Sequence, residues 1–358
     1  MRLPGIAPVT SRVVRRLRGR TGPADIAVRT VTYAPAVTVP TPPAAVFFAD
    51  ELDRVTGVSG QTSIAHEMAT LRGTTEFGPS MAYQLPEVVM IDGNLMRGAF
   101  RHEIGASRER LFVRRSDVAV EDGIAIAASV AGNQFFGHAI IDDLATALAA
   151  PEFGDARSCN LPLNQSGHVH QYRVAADVDL PVVWSAVVRS SWVFRDPYLN
   201  DSKVARLGVL RERLMAARPP SEPLPDTRLF VTRRGPLDRC GRAPVNEEAV
   251  GTELSERGWR VLDPTAVTLA ELVQAFGQAR VVAGVEGSQL AHTVLLCHPG
   301  TALVTLQPPR RFGMLLKDFA DRLGMRFGCH VGTATSDGWT ADIDQVLRLV
   351  DLIEDRAG

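Results

Sequence analysis

The fold of this chain is decided by the stretch Arg280-Val-Val-Ala-Gly-Val-Glu-Gly-Ser-Gln-Leu-Ala-His292, which continues as Thr293-Val-Leu-Leu-Cys-His-Pro-Gly-Thr-Ala-Leu-Val-Thr-Leu306. A β-branched apolar run comes first, followed by a turn with two glycines, an apolar helix-like segment, a Pro-Gly stop and a second apolar run. This order predicts the βαβ unit of a parallel sheet. In such sheets ligands bind at the carboxyl ends of strands, where the N–H groups that begin a helix attract phosphates.

Two glycines of this stretch, Gly284 and Gly287, allow the backbone to approach a ligand closely. Ser288 follows them and is placed to cap the next helix. The pattern is neither the G-x-G-x-x-G of dinucleotide sites nor a P-loop. A purely structural role, in which the glycines only make a tight turn between strand and helix, stays an alternative.

Strand and helix patterns alternate over residues 227–358, which predicts a doubly wound α/β domain. The predicted strands cover residues 228–232, 259–262, 281–282, 301–306 and 325–327, and the predicted helices cover 246–257, 268–279, 314–323 and 341–354. The proline-rich residues 219–226 are predicted to be a linker. Residues 41–218 then form a first domain.

Residues 1–40 are basic at their start, with six arginines and no acid in the first twenty positions. They are predicted to be disordered or extended. Because no apolar signal-peptide core follows, the expected location is the cytoplasm. A peripheral contact of this segment with anionic membrane lipid stays an alternative.

The composition limits the classes of function. A chain of 358 residues predicts two domains that each bury a core. A formal net charge of −1 argues against nucleic acid as a partner. The four cysteines form no C-x-x-C pair, which argues against a zinc site and a disulfide scaffold and is typical of a reducing compartment.

A second informative stretch covers residues 123–141, which carry no formal charge over a length that could span a membrane. A membrane helix is rejected because Asn133, Gln134 and His138 would be costly in lipid. The pattern instead predicts a turn at Gly132-Asn133 and a helix from about Gln134 to Leu148. His138 and Asp142 then lie one turn apart on one face. They either line a cleft or form an ordinary half-buried pair.

Four segments of the second half, taken in order, resemble the core of glycosyltransferase family 61 over residues 228–306. They are Leu229-Phe-Val-Thr-Arg-Arg234, Arg242-Ala-Pro-Val-Asn-Glu247, Gly284-Val-Glu-Gly-Ser-Gln-Leu290 and Pro299-Gly300. In the first half, Gly132-Asn-Gln-Phe-Phe-Gly-His138 with Asp142 is similar to a helix start of the family's first domain.

The segment Asn200–Leu214 resembles family members from bacterial capsular polysaccharide loci. The chain departs from the family pattern in two regions. Glu286 stands where the family usually has histidine, and Ser288 and Gln289 stand where it has small residues after the glycine. The acid often found in the strand after Pro-Gly is replaced near Thr305.

The resemblance implies an α/β, GT-B-like architecture of two Rossmann-like domains that face a cleft. Residues 41–218 would form the acceptor side and residues 227–358 would bind the nucleotide-sugar. The implied reaction is inverting transfer of a sugar from a nucleotide-sugar to a hydroxyl of a glycan or glycoconjugate acceptor, in polysaccharide or glycoconjugate biosynthesis.

The resemblance also assigns site residues. His138 is expected to be the general base, with Asp142 as its orienting partner or as a substitute for it. The expected donor-binding residues are Arg233, Arg242, Asn246, Glu247, Gly284, Glu286, Gly287, Ser288, Gln289 and His292. Three of these have a structural alternative: Asn246 as a helix cap, Glu286 as a cap of the turn, and His292 as a buried helix residue.

The leaving diphosphate gains negative charge as the glycosidic bond breaks, and fixed N–H dipoles and arginines stabilise such charge. Since these groups do the work of a divalent metal, and no D-x-D sequence has a suitable context, the expected enzyme needs no metal or other cofactor. A non-catalytic nucleotide- or glycan-binding protein is the alternative. An oxidoreductase is disfavoured by the missing G-x-G-x-x-G.

Overall fold

The computed structural model describes residues 7–18, 21–60, 62–105, 110, 118–159, 167–217, 227–233 and 242–355. The predicted linker, residues 219–226, lies outside the described residues. The chain divides into two compact units. The N-terminal unit comprises Met1–Val37 and Gly78–Arg213, and the C-terminal unit comprises Thr38–Phe77 and Leu214–Gly358.

The strands are β1 Arg29–Ala34, β2 Val37–Thr38, β3 Glu76–Phe77, β4 Ser80–Leu85, β5 Val88–Ile91, β6 Asn94–Arg97, β7 Phe100–His102, β8 Ala119–Glu121, β9 Ile124–Ile126, β10 Asp155–Arg157, β11 Ala186–Val188, β12 Ser191–Arg195, β13 Thr227–Val231, β14 Arg260–Leu262, β15 Ala279–Val285, β16 Ala302–Gln307, β17 Arg326–Val331, β18 Thr333–Thr335 and β19 Gly338–Thr340.

The helices are α1 Ala7–Arg18, α2 Pro23–Ile26, α3 Ile64–Arg72, α4 Val130–Gln134, α5 Phe136–His138, α6 Leu144–Ala149, α7 Gly167–Ala175, α8 Asp201–Ala217, α9 Glu247–Glu256, α10 Leu269–Gly277, α11 Ala291–Leu296, α12 Leu315–Arg322 and α13 Ile343–Asp355. Short 3₁₀ turns cover Ala49–Arg54, Ala150–Glu152 and Ser288–Leu290, and a π-helical turn covers Ala139–Asp143.

The C-terminal unit is built on a five-stranded sheet in the order β14-β13-β15-β16-β17. Every neighbouring pair in it is parallel. The predicted βαβ unit is confirmed as β15, α11 and β16. Relative to their order in the chain the strands run 2-1-3-4-5, so the winding direction reverses between β13 and β15. The predicted α/β class with a parallel sheet is therefore confirmed for this unit.

The central strands of this sheet are apolar because both of their faces are covered. All six residues of β16 and six of the seven in β15 are buried. On one side, Val346, Leu349 and Ile353 of the amphipathic α13 pack into the same core cluster as Val304. Such near-continuous apolar strands are typical of a parallel sheet between two helical layers.

A buried polar pair ties the segment 38–77 into the C-terminal unit. Nδ1 of His330 lies 2.8 Å from Oε1 of Glu51, and the N–H of Val331 donates to Oε2 of Glu51 at 3.0 Å. Nε2 of His330 accepts from the N–H of Asp342 at 3.1 Å, so Nδ1 is the nitrogen that donates to Glu51. Residues 41–77, which the sequence predicted to lie in the first domain, thus pack with the C-terminal unit.

The N-terminal unit contains two mixed sheets, in the orders β1-β4-β12-β9-β10 and β7-β6-β5-β11-β8. Asp92 and Gly93 join β5 to β6 with φ of 48° and 78°, which is the left-handed backbone that two-residue hairpin turns require. Short turns of this kind make neighbouring strands antiparallel, whereas parallel pairs need long crossovers. This unit therefore differs from the Rossmann-like first domain that the resemblance implied.

The basic N-terminal segment is also more ordered than predicted. Residues 7–18 form α1, in which Pro8 occupies the first turn, where its missing N–H costs no hydrogen bond. The buried Oγ of Ser11 donates to the carbonyl of Phe100 at 3.4 Å and so attaches α1 to β7. None of the described helices is both long and apolar enough to span a bilayer.

Candidate active site

Polar residues collect at the carboxyl ends of two adjacent strands in the C-terminal unit, and we call this place the strand-end corner. Arg233 follows β13, and Glu286 and Gly287 follow β15. These two strands flank the point where the winding of the sheet reverses, so the helices that follow them leave on opposite faces and open a crevice. The sequence expected ligand-binding residues here, and the structure brings Arg233, Glu286, Gly287 and Gln289 together.

The guanidinium of Arg233 contacts the side-chain amide of Gln289. Its Nη1 donates to Oε1 of Gln289, and Nε2 of the same amide donates to the carbonyl of Val285. The backbone N–H of Arg233 donates at 2.8 Å to Oε1 of Glu247, which is buried. Glu247 therefore positions the backbone of Arg233, and the amide of Gln289 orients its guanidinium.

Gly287 is required for this arrangement. Its φ of 148° is rarely adopted by other residues, and an added Cβ would lie 2.0 Å from Nη1 of Arg233. The turn that follows begins at Ser288, which is therefore its first residue and not its cap, as the sequence had predicted. The N–H groups of Ser288 and Gln289 have no acceptor within a turn that starts there, because the first N–H groups of any helix lack one.

Glu286 places an acidic group inside the strand-end corner. Its N–H donates to the carbonyl of Leu306 at 2.9 Å, while its Oε2 is buried and has no hydrogen-bond partner in the described part of the chain. Burial raises the pKa of Glu286, and the positive charges of Arg311, Arg242 and Arg233 oppose this rise without cancelling it.

Two residues of the corner were not found from the sequence: Arg311, after β16, and Glu67, on α3. Both act electrostatically on Glu286, Arg311 by lowering its pKa and Glu67 by raising it. The signal for Arg311 was its place two residues after Pro308-Pro309, just beyond a buried strand of the sheet. No local pattern could have indicated Glu67, because it comes from a distant segment.

Other expected donor-binding residues have roles within the protein itself. The side-chain amide of Asn246 donates to the carbonyl of Ala341 at 2.8 Å and accepts the N–H of Ala341 at 3.0 Å, so it joins α9 to the start of α13. It makes no capping hydrogen bond to α9. Gly284 lies within β15, where an added Cβ would be 2.7 Å from the carbonyl oxygen of Val231.

His292 and Arg242 differ in exposure. His292 is buried in α11, and its ring centroid is 5.4 Å from that of Phe276. This corresponds to the buried-helix alternative. Arg242 is half-buried, its carbonyl accepts from Nε1 of Trp339 at 2.9 Å, and its charge reaches Glu286.

A groove of about 360 Å³ is lined by residues of α9 together with Thr232 and Val261. Three of its lining residues are Glu247, Glu248 and Glu256. Carboxylates repel a diphosphate, so this groove is a poor place for one. The arginines of the strand-end corner make that corner the better anion site.

The N-terminal unit contains a second polar arrangement, built from His138, Asp142 and Lys203. Nδ1 of His138 lies 2.6 Å from Oδ2 of Asp142. Oδ1 of Asp142 accepts from Nζ of Lys203 at 2.5 Å, and Nζ also donates to the carbonyl of Asp196 at 2.6 Å. Asp142 lies on the π-helical turn, and such local widening of a helix is frequent at functional sites.

These contacts set the protonation of the pair. The hydrogen bond to Asp142 raises the pKa of His138, against the opposing effect of burial. Burial acts to raise the pKa of Asp142, but the charges of Lys203 and His138 outweigh it and the pKa is lowered. An ionised Asp142 accepts the Nδ1–H of His138 and leaves Nε2 free to take a proton. The side chain of His138 is 40% exposed, so a substrate can reach it.

The residues before His138 are structural. Gly132 and Asn133 lie in α4 and not in a turn, because Oγ of Ser129 accepts the N–H of Gly132 at 2.9 Å and so caps that helix. The same hydroxyl donates to Asp143 at 2.8 Å. An added Cβ on Gly132 would lie 2.0 Å from Oδ2 of Asp143, whose pKa burial raises to about 7.

Lys203 was not predicted as a site residue, although the sequence contained a signal for it. Lys203, Leu207, Leu210 and Leu214 recur at helical spacing and are all buried. A lysine that begins an apolar stripe needs a buried partner for its charge. Separately, the described residues include no group of three or more His, Cys, Asp or Glu side chains arranged to hold a metal ion.

Comparison with known proteins gives one family match. Residues 136–304, just under half of the chain, match the family described as Glycosyltransferase 61. The match covers His138, Asp142 and both strand ends of the corner. It supports the resemblance to that family and identifies the chain as a glycosyltransferase. No curated protein sequence matches the chain.

The solved structures that are similar to the chain include two of TibC. One is the bacterial iron-containing dodecameric glycosyltransferase TibC from enterotoxigenic E. coli H10407, with 8% identity, a TM-score of 0.35, and coverage of 78% of this chain and 94% of that chain. The other is dodecameric iron-containing heptosyltransferase TibC in complex with ADP-D-beta-D-heptose, with 8% identity, a TM-score of 0.35, and coverage of 79% and 94%. A TM-score of 0.35 is too low to establish a shared fold.

Proposed function

We propose that this glycosyltransferase moves a sugar from a nucleotide-sugar to an acceptor hydroxyl with inversion at the anomeric carbon. The strand-end corner carries the proposal. There, three arginines act on one buried position at the point where a parallel sheet reverses its winding. A cationic, partly buried strand end suits the diphosphate of a nucleotide-sugar.

The chemistry requires charge stabilisation on the leaving group. The bond between the anomeric carbon and the diphosphate oxygen breaks, and its electron pair stays on that oxygen. Arg233 is oriented by Gln289, and a guanidinium is suited to a forked contact with a phosphate. Arg242 adds a second positive charge. We further propose that these arginines make a divalent metal unnecessary.

His138 is proposed as the general base. Its Nε2 takes the proton of the acceptor hydroxyl as the oxygen attacks the anomeric carbon from the face opposite the diphosphate, which inverts the configuration. Asp142 accepts the Nδ1–H and stabilises the imidazolium that forms, and Lys203 holds Asp142 in place. The proton then passes from His138 to solvent.

The proposed setting is synthesis of a bacterial polysaccharide or glycoconjugate in the cytoplasm. A peripheral contact with anionic lipid through the basic residues of α1 stays a prediction. Arg12 and Arg16 are exposed on that helix, where basic side chains near an anionic surface contribute about 1 kcal/mol each.

The proposed function is tested by binding and then by turnover. Thermal unfolding of the purified protein is measured with UDP, GDP, ADP and CDP, because a ligand at one hundred times its Kd stabilises the folded state by about 2.7 kcal/mol. Radiolabelled sugars on the nucleotide that binds then report transfer or hydrolysis. Binding without turnover would support the non-catalytic alternative, and no binding by any diphosphate would refute a donor site.

A substitution at Gly287 tests the corner directly. We expect Gly287→Ala to weaken nucleoside diphosphate binding about tenfold or more, because the new methyl group displaces the Arg233 guanidinium. The measurement is isothermal titration calorimetry. Gly300→Ala is the matched control, since Gly300 also has a positive φ, 86°, but no atom within 4 Å of the added Cβ. Equal affinities of the two variants would contradict the role of Arg233.

A further inference from the structure

The loop after β16 reaches the strand-end corner in a fixed conformation. Gln307, the last residue of β16, is fully buried. Its Nε2 donates to the carbonyl of Gly313 at 3.1 Å, and its Oε1 accepts the N–H of Gly313 at 3.1 Å. One side chain therefore closes the loop of residues 308–313 at its base, and this loop carries Arg311.

The segment 38–77 holds the same loop from outside. The N–H of Thr56 donates to the carbonyl of Pro309 at 2.8 Å, and the N–H of Ser59 donates to that of Phe312 at 2.9 Å. Oε2 of Glu67 accepts the N–H of Met314 at 2.7 Å. The backbone of the loop is thus fixed by contacts within the protein itself, which is the condition for pre-organised recognition.

Within this loop two adjacent arginines differ. Arg310 is exposed, whereas Arg311 is half-buried, and its Nε is buried without a hydrogen-bond partner in the described part of the chain. Among the charges that act on Glu286, that of Arg311 is the strongest. An added Cβ on Gly313 would lie 3.8 Å from Cδ of Glu286, so the loop is close to this carboxyl group.

A buried guanidinium N–H that lacks a partner is costly, and the cost is relieved when an anion with several oxygens arrives. Glu286 is the acidic group already inside the corner, and its Oε2 has no donor. The carboxylate of Glu286 therefore attracts the charge of Arg311, as a phosphate would, but its Oε2 makes no hydrogen bond, in the described part of the chain, of the kind that a phosphate oxygen would make.

We infer that Arg311 is a further donor-binding residue, which receives the diphosphate at the end of β16, and that Glu286 is the internal anion that positions Arg311 before the donor binds. This inference rests on the proposed function. It places the diphosphate among residues that follow β13, β15 and β16. The segment 38–77 then fixes the loop after β16.

A proton linkage follows from the inference. The diphosphate and Glu286 carry like charges, so bound diphosphate raises the pKa of Glu286 beyond the rise that burial causes. Glu67 acts in the same direction, and Arg311, Arg242 and Arg233 act against it. Glu286 therefore takes up a proton on binding, and the affinity for diphosphate increases as the pH falls toward its raised pKa.

The test uses the full chain, isothermal titration calorimetry, and the nucleoside diphosphate that binds best among UDP, GDP, ADP and CDP. We expect Arg311→Ala to weaken binding about 10- to 100-fold and Arg310→Ala, the matched control of equal charge, to leave it within about twofold. Circular dichroism verifies that each variant is folded. If Arg311→Ala does not fold, Arg311→Lys replaces it in the binding experiment.

The variant Glu286→Gln tests the pH dependence of diphosphate affinity, which would not change if Glu286 had only a structural role. We expect this variant to bind diphosphate more tightly than wild type at pH 8 and to lose the increase in affinity between pH 8 and pH 6. An equal loss in Arg310→Ala and Arg311→Ala, or an unchanged pH profile in Glu286→Gln, would overturn the inference. Absence of any binding by wild-type protein would refute the proposed function itself, and the inference with it.

Discussion

Replacing His138 with alanine is expected to lower the rate of sugar transfer about 10²- to 10⁴-fold, the usual contribution of a general base, and to leave nucleoside diphosphate affinity unchanged. The reason is the proposed division of tasks, in which His138 accepts the proton of the acceptor hydroxyl and the C-terminal unit holds the diphosphate. Initial rates at saturating donor and calorimetric affinities check the two halves of this prediction.

His170→Ala is the control for the His138 variant. His170 lies on α7 in the same unit, is similarly exposed at 43%, and also has an acidic partner, Asp179, at 3.9 Å. Its removal should leave the transfer rate unchanged. A His138 variant that transfers sugar as fast as wild type would remove this residue from the mechanism.

The role of His138 as the general base also predicts how the rate of transfer depends on pH. A general base must be neutral to act, so the rate falls as the pH drops through the pKa of His138. Since the hydrogen bond that His138 donates to Asp142 raises that pKa, the acidic limb of the profile should lie above the ordinary histidine value of about 6.5. Asp142→Asn removes the main cause of the rise and should move the limb to lower pH.

Replacing Lys203 with methionine is expected to lower the free energy of unfolding by about 3 kcal/mol at pH 7. Lys203 is fully buried, and its removal takes the lysine donor away from Oδ1 of Asp142 and from the carbonyl of Asp196. Urea unfolding followed by circular dichroism measures the change. The double variant Asp142→Asn with Lys203→Met should recover part of the loss, because no unpaired charge then remains.

The loss in Lys203→Met depends on pH. The pKa of Asp142 is lowered in the folded protein, so the stability that its ion pair contributes is present above the unfolded value of about 3.9 and disappears as the pH falls through the folded value. The deficit of the variant should therefore shrink below about pH 4. Arg257→Met, which breaks an exposed pair with Glu253, should change stability by less than about 0.5 kcal/mol. An equally small effect at Lys203 would contradict the buried pair.

The parallel sheet could be predicted because its signals are local. The glycines and the Pro-Gly stop between residues 280 and 306 set β15, α11 and β16 within one short stretch, and the strands are apolar because both faces are covered. The N-terminal unit could not be predicted in this way. Its strands are short, and β4 lies between β1 and β12, which come from distant parts of the sequence. These pairings depend on long-range packing and not on nearby residues.

In the candidate site, too, some features could be predicted from the sequence and others depend on tertiary contacts. Arg233, Glu286 and Gly287 were predicted because they directly follow strands whose carboxyl ends meet at one edge of the sheet. Gln289 and Glu247 were predicted as ligands, but the structure shows them orienting the side chain and the backbone of Arg233. That distinction depends on which hydrogen-bond partner each group meets, and spacing in the sequence does not contain it.

The amino-acid sequence by itself determined the parallel α/β unit, the strand ends that carry its polar residues, and the His138–Asp142 spacing. Each of these is indicated by a pattern of residues that lie close together in the sequence. Only the tertiary structure decided that Lys203 lies against Asp142, that residues 38–77 fold with the second half of the chain, and that the charge of Arg311 acts on Glu286. The physical reason is that a buried charge is satisfied by whichever partner the packed chain brings within a few ångströms, at any distance along the sequence.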